Sequence, residues 1–223
     1  SLTMMSFETL PWACRIAQFG RQVTVLGVKE KIDGALSAGS VPCKDGRDPV
    51  ATLQHCLGPR PVLHTAGDLL AISLTSPGSY VHTSIMFGQW HNWDGQPVQE
   101  KPLFYQGISQ DTAQIMSDLS SEAVAVAKAI ADKHPQLDLS QVKHIFDWYK
   151  ACYSAEIGDC SNLYTAITTN TAYAGLLHPM TSETGNSDFL PDFGYRYLAE
   201  DVPCGLAVTK GVAQAAGVAT PTI

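Results

Sequence analysis

Apolar residues in the second half of the chain recur at the spacing of amphipathic helices. Ser109 is suited to cap a helix, and it precedes apolar positions three or four residues apart, at Met116, Leu119, Ala123, Val126, Ala127 and Ile130. Pro135 ends that pattern. The same spacing predicts another helix, begun by Asp138 or Ser140, with apolar positions at Leu139, Val142, Ile145, Phe146, Tyr149 and Tyr153.

The first half of the chain is less regular. Residues 21–28 alternate with β-branched side chains, which predicts a strand. Residues 7–20 mix a proline with scattered apolar positions and indicate a turn that leads into a short helix. Residues 34–48 are rich in glycine, serine, proline and charge, which is typical of a loop that holds at most a short strand.

Turn and cap residues divide the middle of the chain. Asp48 and Pro49 suit the cap and the first position of a helix. Residues 62–86 are largely apolar, and we expect helix on both sides of the break at 76–78. Residues 181–190 are polar and predict a loop. A strand-containing opening is therefore followed by a mostly helical body, which suggests pieces of two domains.

Composition narrows the class of protein. The 223 residues are long enough to bury a sizeable core, and 45% hydrophobic with 16% charged residues is ordinary for a soluble globular protein. A formal net charge of −7 argues against nucleic acid or an anionic membrane as the main partner. No apolar run reaches the roughly 20 residues that span a bilayer, and the N-terminus does not resemble a secretory signal.

Cysteine and histidine spacing gives no sign of a metal site. The six cysteines form no CxxC pair, and no histidine has the i,i+4 pairing typical of zinc hydrolases. Free thiols in a reducing cytosol are the simplest interpretation.

The stretch from Asp192 to Gly205 holds the chemistry that is hardest to explain as structure alone. Arg196 stands among aromatic residues that would strip water from its guanidinium group, so it needs an anion. Asp201 could supply that anion, or a substrate could. Alternatively, Glu200 and Asp201 serve only to cap a helix whose first turn contains Pro203 and whose apolar positions are Leu206, Val208, Val212 and Ala216.

Four segments taken in order, 4–15, 80–95, 102–107 and 192–205, closely resemble the octopine/opine dehydrogenase family. The resemblance runs over nearly the whole chain. It departs from the family pattern after His82, where Thr83 replaces the usual proline, a change expected to affect the local turn more than the imidazole. By itself His82 would be read as a buried core histidine.

The resemblance implies that the enzyme uses NADH to condense pyruvate reductively with the amino group of an amino acid, through an imine. It assigns His82 and Asp201 to catalysis, with Asp201 orienting the imidazole, and Arg196 to the carboxylate of the keto acid. It also places Cys14 at the edge of the substrate cleft. Trp148 is a further candidate for substrate binding, because a pocket for arginine should offer aromatic faces to a guanidinium group. It further implies a monomeric cytoplasmic enzyme that re-oxidises NADH in anaerobic glycolysis.

The family is expected to combine a dinucleotide-binding α/β domain with a helical substrate domain. We therefore expect residues 1–68 to be the last part of the α/β domain and 69–223 to be a helical domain cut short at its C-terminal end. The chain has no G-x-G-x-x-G segment, so NADH would be bound mainly by a missing N-terminal domain, and this fragment alone would be inactive. The strand near residue 23 would then be an orphan of the missing sheet.

Several alternatives stay open at this stage. The amino donor could be arginine, alanine, glycine, β-alanine or taurine, and the choice between NADH and NADPH is equally undecided. The chain could instead belong to another two-domain dehydrogenase that acts on hydroxy or amino acids. It could also be a non-catalytic helical binding or dimerisation module, although such a module has no need of His82, Arg196 and Asp201 together.

Overall fold

The computed structural model describes residues 4–37, 46–182 and 188–223, and the described chain is mainly helical. This confirms the fold class expected from the sequence, a helical domain preceded by a short strand-containing part. Parts of two expected loops, 38–45 and 183–187, lie outside the described residues.

The first five strands lie near the beginning of the chain: β1 Met5–Phe7, β2 Trp12–Gln18, β3 Gln22–Val28 and β4 Lys31–Leu36, followed after a helix by β5 Val62–Thr65. Strand β4 is central in one sheet, antiparallel to β1 and parallel to β5. Strands β2 and β3 form a separate antiparallel hairpin.

The hairpin corrects two expectations. Residues 12–18 form strand β2, not a short helix, and the predicted strand of residues 21–28, observed as β3, pairs with β2 and is no orphan. A side chain at Gly27 would collide with Ala172 of the helical body, because its Cβ would lie 2.7 Å from the Ala172 Cβ. The hairpin is therefore seated closely on the helical body at this point.

Helices α1 Pro49–Leu57, α2 Leu69–Leu74 and α3 Pro77–Trp90 follow. Asp48 caps α1 as predicted, since its carboxylate accepts a hydrogen bond of 2.9 Å from the Val50 N–H. Helix was predicted for the whole segment from residue 62 to the break at 76–78. This is right for α2 but wrong for residues 62–65, which form strand β5 and pair in parallel with β4.

The long helix α4, Gln110–Lys133, begins at Ser109 as predicted, and its apolar stripe is buried. The next helix, α5 Ile145–Tyr153, begins later than expected because His144, not Asp138 or Ser140, provides its cap. Asp138 instead accepts hydrogen bonds from the backbone and hydroxyl of Ser140 within a tight turn.

The rest of the chain consists of shorter elements. They are α6 Leu163–Thr168, a 3-10 turn at Thr171–Tyr173, the two-stranded pair β6 Met180–Thr181 and β7 Leu190–Pro191, α7 Arg196–Ala199, a π-helical turn at Val202–Leu206, and α8 Ala207–Ala216. The helix expected from Asp201 onward is thus a π turn that runs into α8. The main core lies among α3, α4, α5 and α6 and is rich in aromatic side chains.

A buried carboxylate links the sheet to the helical body. Asp33 of β4 contacts the ammonium groups of Lys143 and Lys31 and, at 2.9 Å, the Nδ1 atom of His64. Burial raises the pKa of Asp33, but the Lys143 contact together with the other two partners outweighs burial and lowers it. Asp33 is therefore a charged group held inside the protein by its partners.

Candidate functional site

The centre of the site is a histidine–aspartate pair formed by residues far apart in sequence. His82 lies within α3, and its Nδ1 atom is 2.8 Å from Oδ2 of Asp201, just before the π turn. The Asp201 side chain makes no capping hydrogen bond to the helix that follows it. The interpretation of Asp201 as a helix cap is therefore wrong.

Hydrogen bonding defines the state of the imidazole. A carboxylate only accepts hydrogen bonds, so the Nδ1–H of His82 donates to Asp201. The other nitrogen, Nε2, is then an acceptor, and the hydroxyl group of Tyr105 lies 3.2 Å away as its donor. The pair thus holds a neutral imidazole with its proton on Nδ1 and its basic lone pair on Nε2.

Aromatic rings fix the orientation of this imidazole. The ring of Tyr197 stacks on His82 with centroids 3.9 Å apart and planes 21° apart. The rings of Phe104 and Tyr105 are also near, at centroid distances of 6.0 and 6.4 Å and tilted by 53° and 65° from the imidazole plane. Tyr105 is itself stacked on Tyr173 at 4.0 Å. These contacts leave the imidazole little rotational freedom.

Burial and charge set the proton affinity of His82. Burial lowers the pKa of its imidazole below the ordinary value of 6.5, and the hydrogen bond and charge of Asp201 raise it by less. The positive charges of Arg196 and Arg15 lower this pKa further. His82 is therefore mostly neutral at pH 7 and able to accept a proton.

Two glycines allow Asp201 to reach α3. A Cβ at Gly78 would lie 3.3 Å from Oδ1 of Asp201 and 3.5 Å from Nδ1 of His82. A Cβ at Gly205 would lie 1.7 Å from the Ser79 hydroxyl oxygen, so any larger residue there would push the π turn away from α3. The close approach of these two segments therefore depends on glycine.

Arg196 differs from the sequence expectation in its surroundings. Its side chain is 60% exposed, so the neighbouring aromatic residues do not strip it of water. Tyr197 turns inward onto His82, and Phe193 packs against Trp93 instead. The acid nearest to Arg196 is Glu200, with 3.6 Å between Nε and Oε2, and not Asp201. Arg196 nevertheless lies near enough to lower the pKa of His82.

The other two predicted site residues, Cys14 and Trp148, make no hydrogen bond or ring contact with the His82 imidazole in the described part of the chain. Cys14 is a half-buried free thiol on β2. Trp148 is buried in the core against Tyr149 and Tyr153, and its indole N–H lies near the Glu8 carboxylate without a hydrogen bond. Among the described residues, Trp148 is not one of the rings packed on the imidazole of His82.

The sequence interpretation missed two residues that contact the imidazole, Tyr105 and Tyr197, and one that contacts Tyr197, Arg15. All three lie inside segments that carry the family resemblance, so those segments were the available signal. The guanidinium group of Arg15 reaches the Tyr197 hydroxyl at 3.4 Å.

The part of the chain that the structure describes contains no group of histidine, cysteine and acidic residues that could hold a metal ion. None of the described helices is long and apolar enough to cross a membrane.

Comparison with known proteins connects this geometry to a family. Residues 65–223 match the family model described as NAD/NADP octopine/nopaline dehydrogenase, alpha-helical domain. The chain is 47% identical over 221 residues to tauropine dehydrogenase of Arabella iricolor, covering 99% of this chain and 55% of the relative. It is 50% identical over 222 residues to octopine dehydrogenase of Pecten maximus, covering 100% of this chain and 54% of the relative.

A solved structure of octopine dehydrogenase also matches this chain. The structure of octopine dehydrogenase in complex with NADH and agmatine matches 99% of this chain with a TM-score of 0.85 and 49% identity, and 53% of that structure's chain is covered. The chain thus spans about half the length of the relatives that it matches.

Proposed function

This chain belongs to the NAD/NADP octopine/nopaline dehydrogenase family, and on that premise we propose that it handles the substrates of an opine dehydrogenase. The reaction is the NADH-dependent condensation of pyruvate with the amino group of an amino acid. The observation that carries the proposal is the 2.8 Å contact between Nδ1 of His82 and Oδ2 of Asp201, inside an aromatic enclosure.

His82 serves as the proton-transfer group. The amine attacks the keto carbon to give a carbinolamine, and this intermediate must lose water to become an imine. The basic lone pair on Nε2 of His82, to which the Tyr105 hydroxyl donates in this structure, accepts the proton that the amine loses and returns it to the departing hydroxyl group. Asp201 holds the tautomer that makes this possible and stabilises the imidazolium that forms.

Substrate anions need cations beside this histidine. Arg196 lies near His82 on an exposed edge and pairs loosely with Glu200, so its planar fork can bind the carboxylate of pyruvate. Cys14 would line the same cleft from the hairpin. The enzyme that results is expected to be a cytoplasmic monomer whose partners are pyruvate and an amino acid.

The residues of this chain do not fit the pyrophosphate of a dinucleotide. Such a group needs a glycine-rich turn of backbone N–H groups at the start of a helix, and the sequence contains no G-x-G-x-x-G segment. The start of α1 is occupied by the carboxylate of Asp48. We therefore propose that residues outside this chain bind NADH. The division at residue 68 into an α/β remnant and a helical substrate domain stays part of this proposal.

Two relatives of nearly equal identity, 47% and 50%, are named for different opines, so similarity alone does not identify the amino donor. The direct experiment measures NADH oxidation by the full-length protein with pyruvate and a panel of arginine, alanine, glycine, β-alanine and taurine. We expect one or a few donors to support turnover. Failure of all five, with NADH bound, would contradict the proposal.

A further inference from the structure

Arg15 approaches the candidate site from the hairpin. Its Nη2 atom lies 3.4 Å from the Tyr197 hydroxyl, and the Tyr197 ring is stacked on the His82 imidazole at 3.9 Å. Its Nη1 atom donates to the carbonyl oxygen of Cys14 at 3.0 Å. A second guanidinium group therefore stands one ring away from the proposed proton-transfer residue.

Among the described residues, this guanidinium group has no carboxylate partner. The ion pairs of residues 4–37, 46–182 and 188–223 include Glu200 with Arg196 but no acid with Arg15. A guanidinium group has five N–H donors, and the contacts with Tyr197 and Cys14 leave most of them available. Burial lowers the pKa of His82 and raises the pKa of the Tyr105 and Tyr197 hydroxyls, and the positive charge of Arg15 makes a smaller, lowering contribution to all three.

The hairpin holds Arg15 in this position. Residue 15 pairs with Thr24 of β3, and Ala13 packs on the main core. Gly27 fits against Ala172 so closely that no side chain could stand between them. Arg15 is therefore carried by a strand seated on the helical body, although its own side chain is exposed.

We propose that Arg15 binds the anionic group of the amino donor, while Arg196 binds the carboxylate of the keto acid. This inference rests on the proposed function. That reaction joins two anions, since pyruvate carries a carboxylate and each candidate donor carries a carboxylate or, in taurine, a sulfonate. The reacting nitrogen and carbon must meet at His82, so the two anionic groups need two separate cations near the imidazole. Arg15 on strand β2 and Arg196 on helix α7 provide them.

The test compares the amino donor with the amine that lacks its anionic group, for example arginine with agmatine. The variants are Arg15→Met in the full-length protein and, as a matched control, Arg21→Met in the turn of the same hairpin. The dissociation constant for each ligand is measured by calorimetry with NADH present, together with the KM values for pyruvate and for the donor.

We expect Arg15→Met to weaken binding of the donor by about tenfold or more, because a charge-assisted bidentate contact is lost. Binding of the decarboxylated amine and the KM for pyruvate should change less than about threefold, and Arg21→Met should behave as wild type. Arg15→Lys should recover part of the donor affinity, because it keeps the charge and loses the fork.

Equal loss of donor and decarboxylated amine would overturn the inference, as would unchanged donor binding. A rise in the KM for pyruvate alone would also overturn it and would assign Arg15 to the keto acid. Each of these results is read against a wild-type protein that turns over pyruvate and a donor. A wild-type protein inactive with every donor would instead contradict the proposed function itself.

Discussion

Asp201 binds His82, 119 positions earlier in the sequence, and makes no capping contact with the helix that follows it. Asp201, which the sequence also allowed as a cap of the adjacent helix, is thus the partner of a residue far away in sequence. Its position depends on the close contact of the π turn with α3, at Gly205 and Ser79. The interaction therefore forms only in the folded protein.

The first prediction concerns this pair. In the full-length protein, His82→Ala should lower kcat by at least about 10²-fold, because the proton-transfer group is lost. Asp201→Asn should lower kcat by at least about tenfold with the fold intact, because an amide cannot stabilise the imidazolium. Steady-state kinetics and circular dichroism check both. Asp132→Asn, which replaces an exposed acid on α4, is the control.

The pH–rate profile adds a second readout of the same pair. Activity needs neutral His82, so it should fall as the pH drops through the pKa of His82. Asp201→Asn removes the interaction that raises this pKa, so the acid limb should move to lower pH. An unchanged profile with wild-type turnover would show that the pair has no part in proton transfer.

His178 predicts how stability depends on pH. Burial lowers the pKa of its imidazole to about 4, and its Nδ1 atom accepts a 3.1 Å hydrogen bond from the Trp90 indole. The folded state therefore binds this proton more weakly than the unfolded state does. Stability that is fully present above pH 6.5 should be lost as the pH falls from 6.5 to 4, by up to about 3 kcal/mol.

Urea unfolding of the chain between pH 7.5 and pH 4 measures this loss. His178→Asn keeps an acceptor for Trp90 but cannot take up the proton, so its free energy of unfolding should fall less over the same range. His134→Asn, at an exposed position, should follow wild type. Parallel curves for His178→Asn and wild type would contradict the prediction.

The contact between Gly27 and Ala172 gives a prediction with a built-in rescue. Gly27→Ala would place two Cβ atoms 2.7 Å apart, so it should lower the free energy of unfolding by about 1–3 kcal/mol. Combining it with Ala172→Gly should restore part of that loss, because one of the two clashing atoms is removed. Gly211→Ala, where a Cβ meets no atom within 4 Å, should not destabilise α8. Denaturant unfolding of wild type, the three single variants and the double variant tests the contact, and additive effects of Gly27→Ala and Ala172→Gly in the double variant would speak against it.

The hairpin also predicts how the isolated chain behaves in solution. Phe19 is 89% exposed and Ile16 67% exposed, and they belong to a wider set of exposed apolar residues that includes Trp12, Val23, Val25 and Leu26. Such a patch promotes association. The double variant Ile16→Thr, Phe19→Ser should therefore aggregate less, as measured by light scattering, with little change in the urea midpoint. Val208→Thr on α8 should leave aggregation unchanged.

Local signals predicted the elements that depend on local contacts. The prediction of helix α4 was correct because Ser109 caps the helix and a long apolar stripe follows. Strand β2 was missed because most of its side chains are exposed, so no alternation of apolar and polar positions marks it. The start of α5 was misplaced because Asp138 satisfies the Ser140 backbone in a turn that imitates a helix cap.

For the site, too, local signals identified individual residues but not their surroundings. Residue chemistry and family resemblance singled out His82, Asp201 and Arg196, but neither could show that Arg196 is exposed and pairs with Glu200. Arg15 was overlooked because its neighbours in space, Tyr197 and His82, are remote in sequence. Local patterns in one sequence do not show which distant side chains meet, and the resemblance supplied only the pairing of Asp201 with His82.

The buried carboxylate of Asp33 bears on how the molecule unfolds. Asp33 belongs to β4 and Lys143 lies just ahead of α5, so pulling β4 out of its sheet would carry the carboxylate away and leave the partly buried Lys143 ammonium group without its partner. Such a cost couples the two regions, even though residue 68 is expected to divide domains. Amide hydrogens in β4 and α5 should consequently exchange with solvent at similar rates, in one cooperative opening event, and not as two independent units.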